Sequence, residues 1–172
     1  QIARLTIHHS KENNVANELY FDEIKVGDKG SSPGYTFTEE RIKAYAELSG
    51  DFTPVHIDEE YARHTPFGTR VAHGLLGLSV ADGLKTQSDY CFQPGMSLGW
   101  EWSFVAPIKI GDTCHVEFYV ESVRKSKSRP GWGIVIVPVE LINQRGEIVQ
   151  KGQHRVMVPC RIIFAETPKK IR

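Results

Sequence analysis

A chain of 172 residues, 40% of them hydrophobic, is long enough for one domain with a substantial core and short for two domains. Its 21 basic residues equal its 21 acidic residues, which excludes attraction to nucleic acid or an anionic membrane through net charge. Its three cysteines are scattered and lack CxxC spacing, which argues against a disulfide scaffold. The sequence has no apolar run of about 18 residues, which argues against a spanning helix. We therefore expect a cytoplasmic protein.

The first stretch of the chain is polar. Residues 1 to 19 carry scattered apolar side chains without a sustained period, so we predict a peripheral N-terminal arm, followed by a single domain from 20 to 172. The segment YFDEIKVGDK at 20 to 29 alternates weakly, and YTF at 35 to 37 follows Pro33 and Gly34. Both patterns predict short extended pieces.

A first helix is predicted over residues 39 to 49. Thr38 is a suitable N-cap, and two glutamates occupy the first turn, where the helix dipole favours acids. Apolar side chains recur at helical spacing at Ile42, Tyr45, Ala46 and Leu48. Gly50 fits the left-handed position that ends many helices, so this helix delivers the chain to Asp51.

A second helix is predicted from about 71 to 84, where VAHGLLGLSVADGL is apolar on several faces. Such a helix should be buried, and its glycines would let a sheet or partner backbone come close. Between the two helices, Asp58 can cap a short helical piece that ends before Gly68.

Four long strands are predicted after this helix. Apolar and polar side chains alternate from 96 to 106 and again from 114 to 121, and a last strand is predicted from about 148 to 158. The apolar run from 134 to 142 contains Pro138, which predicts a bulge or an edge position because proline cannot donate to a ladder. Together these elements predict an α+β fold in which a curved antiparallel sheet wraps around a central buried helix.

Asp51 and His56 are the first candidates for chemistry. Pro54 favours an extended conformation at Thr53, so the loop can turn both side chains toward one point. A carboxylate and an imidazole beside a bound water can move protons to and from carbon and oxygen. The alternative is that Asp51 only caps the next turn and His56 is a loop histidine, and spacing alone favours this alternative.

The start of the second predicted helix is the other candidate. Free backbone N–H groups collect at a helix N-terminus, so the N–H of Gly74 could stabilise an enolate-like oxygen of a thioester. The alternative is a plain helix start with glycine for packing, which the sequence alone favours.

Other kinds of site have weaker support. His56, Asp58, His64 and His73 fall within eighteen residues, but without HExxH spacing or a cysteine they do not predict a metal site. A serine nucleophile is not indicated, because GxSxG is absent from the sequence. The basic loop from 125 to 131 is of a type that is most often solvated, but it could pair with the phosphates of a large anionic ligand.

Three segments carry a resemblance to a known family: SGDFTPVH at 49 to 56, FG at 67 and 68, and VAHGLL at 71 to 76. Together with YFDEIKVGD at 20 to 28 and PIKIGD at 107 to 112, they resemble the MaoC-like (R)-specific enoyl-CoA hydratases, also called hydratase 2, which have a hot-dog fold. The likeness covers most of the chain after residue 19.

The resemblance implies a homodimer, or a higher homo-oligomer, in which two sheets join side by side. It places the family's catalytic acid and base on Asp51 and His56, and its oxyanion-hole N–H on Gly74. A water held between the pair would add to C3 of a trans-2-enoyl-CoA while a proton reaches C2 from the same face, giving an (R)-3-hydroxyacyl-CoA. No metal or redox cofactor is needed, because the CoA arrives as part of the acyl-CoA substrate.

Two positions depart from the family pattern. Thr53 stands where the family usually has Asn, and its hydroxyl can hold water but cannot present both an amide donor and an acceptor. Asp82 stands where some members carry a serine that orients the pair, and Ser79, about one helical turn earlier, can substitute for it. The predicted substrate-binding side chains are Thr53, Phe67, His73, Ser79, Asp82, Arg70, Lys125, Lys127 and Arg129.

Three further activities fit the same sequence. Hydration of a branched or dicarboxylic acyl-CoA, of the mesaconyl or methylmalyl type, would use Arg70 or the basic loop to meet a second carboxylate. A hot-dog thioesterase would direct the water at the acyl carbonyl instead of C3. A non-catalytic acyl-CoA-binding subunit would result if Thr53 and Asp82 had disabled the site.

Overall fold

The computed structural model describes residues 18 to 161. Residues 1 to 17 of the predicted arm therefore lie outside the described residues. A 3₁₀ turn at Phe21–Glu23 precedes helices α1 (Glu39–Ser49), α2 (Pro54–Ile57), α3 (Glu59–Arg63) and α4 (Gly74–Lys85). The strands of the described part are β1 (Lys29–Ser31), β2 (Tyr35–Thr36), β3 (Met96–Phe104), β4 (Thr113–Tyr119), β5 (Ser122–Lys125), β6 (Trp132–Asn143) and β7 (Ile148–Pro159). No helix between residues 18 and 161 is long and apolar enough to cross a bilayer.

The strands form one antiparallel sheet in the order β1-β4-β6-β7-β3, with β2 also paired to β4 and β5 to β6. Alternate side chains of β4 are fully or nearly buried, as its period of two predicted. They share one core with buried side chains of α4, including Leu76, Ala81 and Leu84. The predicted α+β arrangement, an antiparallel sheet around a central helix, is therefore confirmed.

Both predicted helix caps are present. The hydroxyl of Thr38 accepts a hydrogen bond from the backbone N–H of Arg41 at 3.4 Å, and Asp58 Oδ1 accepts one from the N–H of Tyr61 at 3.1 Å. Gly50 ends α1 with a φ of +76°, a conformation that other residues rarely adopt. The turn that follows carries the chain directly into the loop of Asp51.

The prediction of a bulge or an edge position at Pro138 is confirmed for the bulge, because the ladder beside β6 shifts by one residue between the pairs of Val139 with Phe118 and of Ile136 with Ser122. Strand β6 lies inside the sheet, and Pro138 pairs with Gln153 of β7. On the other side of β6, β4 pairs as far as Val139 and β5 starts again at Ile136. Pro138 therefore lies opposite the break between β4 and β5, where the ladder needs no N–H from it. Strand β5 was not predicted, and it contains the first residue of the basic loop.

Helix α4 is buried on one side only, so the prediction that it is buried almost all round is wrong for the isolated chain. Its buried residues are Leu76, Gly77, Ala81, Leu84 and Lys85. The opposite face carries Leu75, Ser79, Asp82 and Gly83, all exposed to solvent. Leu75 is the large apolar residue of this exposed face.

Gly77 and Gly83 form a matched pair for testing the packing of α4. A Cβ on Gly77 would overlap the carboxamide of buried Gln150, whereas a Cβ on Gly83 would meet nothing within 4 Å. We expect Gly77→Ala to lower the free energy of unfolding by about 1–3 kcal/mol through overpacking. Gly83→Ala should raise it by roughly 0.5–1 kcal/mol, because alanine is the better helix former. Urea denaturation measures both values, and equal effects of the two substitutions would contradict this packing.

Candidate active site

Asp51 lies in the turn after α1, and Thr53 fixes its side chain. The backbone N–H and the hydroxyl of Thr53 both donate to Asp51 Oδ1, at 3.1 and 2.6 Å. These two hydrogen bonds stabilise the ionised form and so hold the pKa of Asp51 below its ordinary value. The bond from the hydroxyl has the larger effect. Thr53 therefore acts on the carboxylate itself, where the sequence suggested only a contact with water.

His56 lies on α2, two residues beyond Pro54, which occupies the first helical position. Its Nδ1 is 2.8 Å from the carbonyl oxygen of Val71. Because a carbonyl can only accept a hydrogen bond, we infer that Nδ1 carries the ring proton. In the neutral ring, Nε2 then keeps a free lone pair.

His73 joins the loop of Asp51 to the start of α4. Only 2% of the residue is exposed, and its Nε2 is 2.9 Å from the backbone oxygen of Asp51, to which it donates. The ring stacks on that of His56 with 3.9 Å between centroids, and Tyr45 closes its other side. Burial lowers the pKa of His73, which favours its neutral form. His73, which the sequence predicted to bind substrate, therefore supports Asp51 through a hydrogen bond and His56 through ring stacking.

Gly74 is the first residue of α4, and His73 is the N-cap. A Cβ on Gly74 would lie 2.9 Å from the ring of Phe104, so only glycine lets Phe104 approach the helix start. The carbonyl oxygen of Gly74 accepts a hydrogen bond from Gln150 Nε2 at 3.0 Å. Since the first N–H groups of a helix have no partner within the helix, this end of α4 can receive a negatively charged oxygen.

These residues surround a cavity of about 650 Å³. Asp51, His56 and Gly74 all line it, together with His73 and Phe67. Its remaining walls are mainly apolar and come from Val55, Val71, Ala72, Leu75, Phe104, Val105, Ala106, Pro107 and Ile108. A cavity with hydrophobic walls and a few convergent polar groups is typical of a site for a small organic ligand.

The polar groups of the cavity are close enough to share one small molecule. Asp51, His56 and His73 each offer an oxygen or nitrogen atom within 4.8 Å of the others. A metal ion would require their lone pairs to converge on one point. The rings of His56 and His73 are stacked with only 29° between their planes, and lone pairs that lie in two such stacked planes do not readily meet at one point. A water molecule that contacts Asp51 and His56 fits this geometry better.

Arg70 is held away from any ligand. Its Nε donates to Glu59 at 3.1 Å, and its two terminal nitrogens each lie 3.1 Å from a carboxylate oxygen of Glu39. The hydrogen bond from Arg70 is the main reason that the pKa of Glu39 is lowered to about 2. Because its guanidinium already pairs with two carboxylates, Arg70 offers no free charge to a dicarboxylic substrate.

The other predicted substrate-binding residues do not line this cavity. Ser79 donates to the backbone oxygen of Leu75, and it shares the solvent-facing side of α4 with Asp82. The basic residues Lys125, Lys127 and Arg129 lie at the far end of the sheet. On β6, Gly133 pairs with Lys125 and Leu141 pairs with Gln150, which lines the cavity. These two positions of β6 are eight residues apart, so the basic loop begins roughly 27 Å from the cavity within one chain.

Sequence reasoning missed Gln150, Phe104 and Tyr45 as parts of this site. Gln150 is almost fully buried, receives a hydrogen bond from Trp102 Nε1 at 2.9 Å and holds the start of α4. Its polar side chain, at a buried position of β7, was the one signal available in the sequence. Tyr45 and Phe104 matched ordinary core positions, so no pattern distinguished them.

Comparisons with known proteins place these features in context. A model of the MaoC like domain matches residues 24–139. The chain is 32% identical over 145 residues to the (R)-specific enoyl-CoA hydratase of Rhodospirillum rubrum, covering 83% of this chain and 93% of that protein. The solved MaoC-like dehydratase from Rhodospirillum rubrum is 36% identical, with a TM-score of 0.75 over 83% of this chain and 98% of its own. A Mycobacterium tuberculosis structure with a double hotdog fold is 21% identical, with a TM-score of 0.73 over 90% of this chain and 46% of its own. This similarity of structure confirms the predicted hot-dog fold.

The contact between Thr53 and Asp51 can be tested directly. Thr53→Val removes the hydroxyl at nearly constant volume, so the pKa of Asp51 should rise toward its ordinary value, because the ionised form loses its principal hydrogen bond. Thr53→Ser keeps the hydroxyl and should leave the pKa low. A carbon-13 NMR titration of the Asp51 carboxyl measures both, and an unchanged pKa in Thr53→Val would contradict the assignment.

Proposed function

We propose that this chain, which belongs to the MaoC-like domain family, hydrates a trans-2-enoyl-CoA reversibly to an (R)-3-hydroxyacyl-CoA. It is a hydro-lyase of the hydratase and dehydratase type. The observation that carries the finer assignment is the convergence of Asp51, His56 and Gly74 on one cavity, with a carboxylate oxygen of Asp51 within 4.8 Å of a ring nitrogen of His56. One water can contact both side chains across that distance.

The hydrogen bonds of the pair suggest how it divides the work. Thr53 makes Asp51 a weaker base by stabilising its ionised form, so Asp51 orients the water and remains a carboxylate. His56 has a lone pair at Nε2 because its Nδ1 proton is bonded to Val71. As the water oxygen bonds to C3, Nε2 takes one of its protons, and the resulting imidazolium returns that proton to C2 on the same face. The sum is addition of one water across the double bond.

The start of α4 supplies the second part of the mechanism. When water adds to C3, the electron pair of the double bond moves toward the thioester oxygen. The N–H of Gly74 and the positive end of the α4 dipole would stabilise that oxygen, and in support of this role Gly74 lines the same cavity as Asp51 and His56. The apolar walls suit a hydrocarbon acyl chain, and the cavity opening leaves the CoA portion outside.

We expect Asp51→Asn and His56→Asn each to lower kcat for crotonyl-CoA hydration by a factor on the order of 10² to 10⁴, because each removes one proton-handling or water-orienting group. The double variant should lose little more than the worse single variant, since the two side chains act on one water. Ultraviolet absorbance of the enoyl thioester measures the rate.

The chain offers matched controls for both substitutions. Asp58→Asn keeps a side chain that can cap α3, and His64→Asn changes an exposed histidine bonded to its own helix. Neither residue lines the cavity, so both variants should retain the rate of the unmodified chain. Near-normal hydration by Asp51→Asn or His56→Asn would reject the assignment of the pair.

The rival activities give different products in the same assay. A thioesterase would release free CoA thiol, which a thiol reagent detects. A hydratase for dicarboxylic acyl groups would prefer mesaconyl-CoA to crotonyl-CoA, and an acyl-CoA-binding subunit would bind both without turnover. Formation of the (R)-3-hydroxyacyl product from crotonyl-CoA, resolved by chiral chromatography, is the result that supports hydration.

The proposed assembly is a homodimer, or a higher oligomer built from it. Strand β3 ends the sheet, and its outer side has no strand partner among residues 18 to 161. Apolar side chains beside it are exposed, with 57% of Phe104 and 59% of Leu75 accessible in the isolated chain. An unpaired strand next to an apolar surface invites pairing with a second copy about a two-fold axis.

Light scattering after size exclusion should therefore give the mass of at least two chains. Leu75→Lys should shift the protein toward the monomer, because a charge would enter the apolar contact. Val26→Lys is the matched control, since Val26 is 62% exposed and lies in the turn before β1. A monomeric unmodified protein, or equal behaviour of the two variants, would contradict the proposed interface.

A further inference from the structure

A second cavity, of about 260 Å³, lies beside the C-terminal end of α4. None of the residues that line it lines the cavity of Asp51 and His56. Part of its wall is apolar, formed by Tyr90, Phe92, Phe118 and Val156. Lys85 and His154 also line it, and both are buried. A buried lysine in an apolar cavity requires an explanation, because charged groups are rarely buried without a partner of opposite charge.

Lys85 is only 8% exposed, and its ammonium contacts a histidine instead of an acid. Its Nζ lies 2.5 Å from Nδ1 of His154, whose Nε2 lies 2.9 Å from the hydroxyl of Ser97. Trp100 stacks on the ring of His154 with 4.0 Å between centroids and lies under the ammonium at 5.0 Å. His154 therefore accepts from Lys85 and donates to Ser97, which fixes both side chains in place.

The Lys85 ammonium forms no direct ion pair among the described residues, although Asp82 attracts it from a longer distance and partly offsets the effect of burial on its pKa. Burial lowers the pKa of Lys85 to about 8, so most of it is still charged at pH 7, while burial lowers the pKa of His154 to about 3 and keeps that ring neutral. Asp82 and Glu18 also line the cavity, but both are exposed and neither forms an ion pair with Lys85 among residues 18 to 161. The cavity thus combines a buried, fixed cation and an apolar wall with two carboxylates on its solvent-exposed side.

We propose that this second cavity is a binding site for a carboxylate on a short hydrocarbon chain, with the Lys85 ammonium pairing with the carboxylate. The chain would pack against Tyr90, Phe92, Phe118 and Val156. A carboxylate supplies the charge that buried Lys85 lacks, and the apolar walls select against small inorganic anions. This site is independent of the proposed hydration, since it is defined by different residues.

Two sources could supply such a carboxylate: a free carboxylic acid, or the far end of an acyl group bound at the first site. Lys85 follows Gly74 by eleven residues on α4, which corresponds to about 16 Å along the helix. Within one chain, a four- or five-carbon dicarboxylic acyl group held by Asp51 and His56 does not span that distance. A free acid is therefore the source that the geometry favours.

Isothermal titration calorimetry of the full chain with hexanoate tests the site, with hexanamide as the uncharged ligand of the same shape. We expect hexanoate to bind at least tenfold more tightly than hexanamide, and binding to strengthen about fourfold for each methylene from butyrate to hexanoate. Lys85→Met, which keeps the length of the side chain without its charge, should lose the preference for hexanoate. Lys127→Met is the matched control in the exposed basic loop, and it should keep that preference.

Crotonyl-CoA hydration in the presence of hexanoate separates the two sources. Binding that leaves the hydration rate unchanged supports a separate site for free acids, and competitive inhibition that disappears in Lys85→Met supports a carboxylate on the path of the acyl chain. Equal binding of hexanoate and hexanamide to the unmodified chain, or no binding of either, would overturn the proposal even if Lys85→Met failed to fold. Neither result would alter the test of Asp51 and His56, which is read from hydration alone.

Discussion

The buried ring of His73 is the contact on which the candidate site depends. One hydrogen bond, from its Nε2 to the backbone oxygen of Asp51, ties the loop after α1 to the N-cap of α4. Its face supports the ring of His56, so the position of the pair relative to Gly74 is set by a single side chain. Because burial keeps His73 neutral, it can perform this task without placing a second positive charge beside His56.

Arg70 gives the same region its outer support. It links Glu39 at the start of α1 with Glu59 at the start of α3, and its own backbone lies just before the strand-like segment that carries Val71. The carbonyl of Val71 is the acceptor that orients His56. Arg70 thus acts on the cavity through the backbone. Its side chain is mostly buried and its ion pairs with two partly exposed carboxylates join three elements, which restricts how these elements can move.

The sequence predicted what depends on local rules and failed where distant residues decide. The caps at Thr38 and Asp58, the end of α1 at Gly50 and the alternation of β4 follow from neighbours a few positions away, and all are present. Whether Pro138 marks a bulge or an edge depends on where two other strands meet, which no local pattern records. The same holds for the partners of Arg70 and for the position of Gln150 under the start of α4.

The site shows the same division between local and distant information. Spacing alone favoured plain loop roles for Asp51 and His56, and only the resemblance over three separate segments joined them to Gly74. The structure places all three residues on one cavity, because His73 brings the loop and the helix together. Ser79 and Asp82 were predicted from the family pattern and the basic loop from its charge, and in the single chain none of them lines this cavity.

The bond from His56 Nδ1 to the Val71 carbonyl has a further consequence for how protons can travel. A histidine with both nitrogens free can take a proton on one side of its ring and release it on the other, as a relay to solvent. His56 cannot do so, because one nitrogen is committed to an acceptor that never gives a proton back. In the proposed mechanism the ring stores the proton it takes and must return it through the same atom. As for any catalyst, hydration and dehydration follow one path in opposite directions, and the ratio of the two thioesters relative to their equilibrium ratio sets the direction of flow.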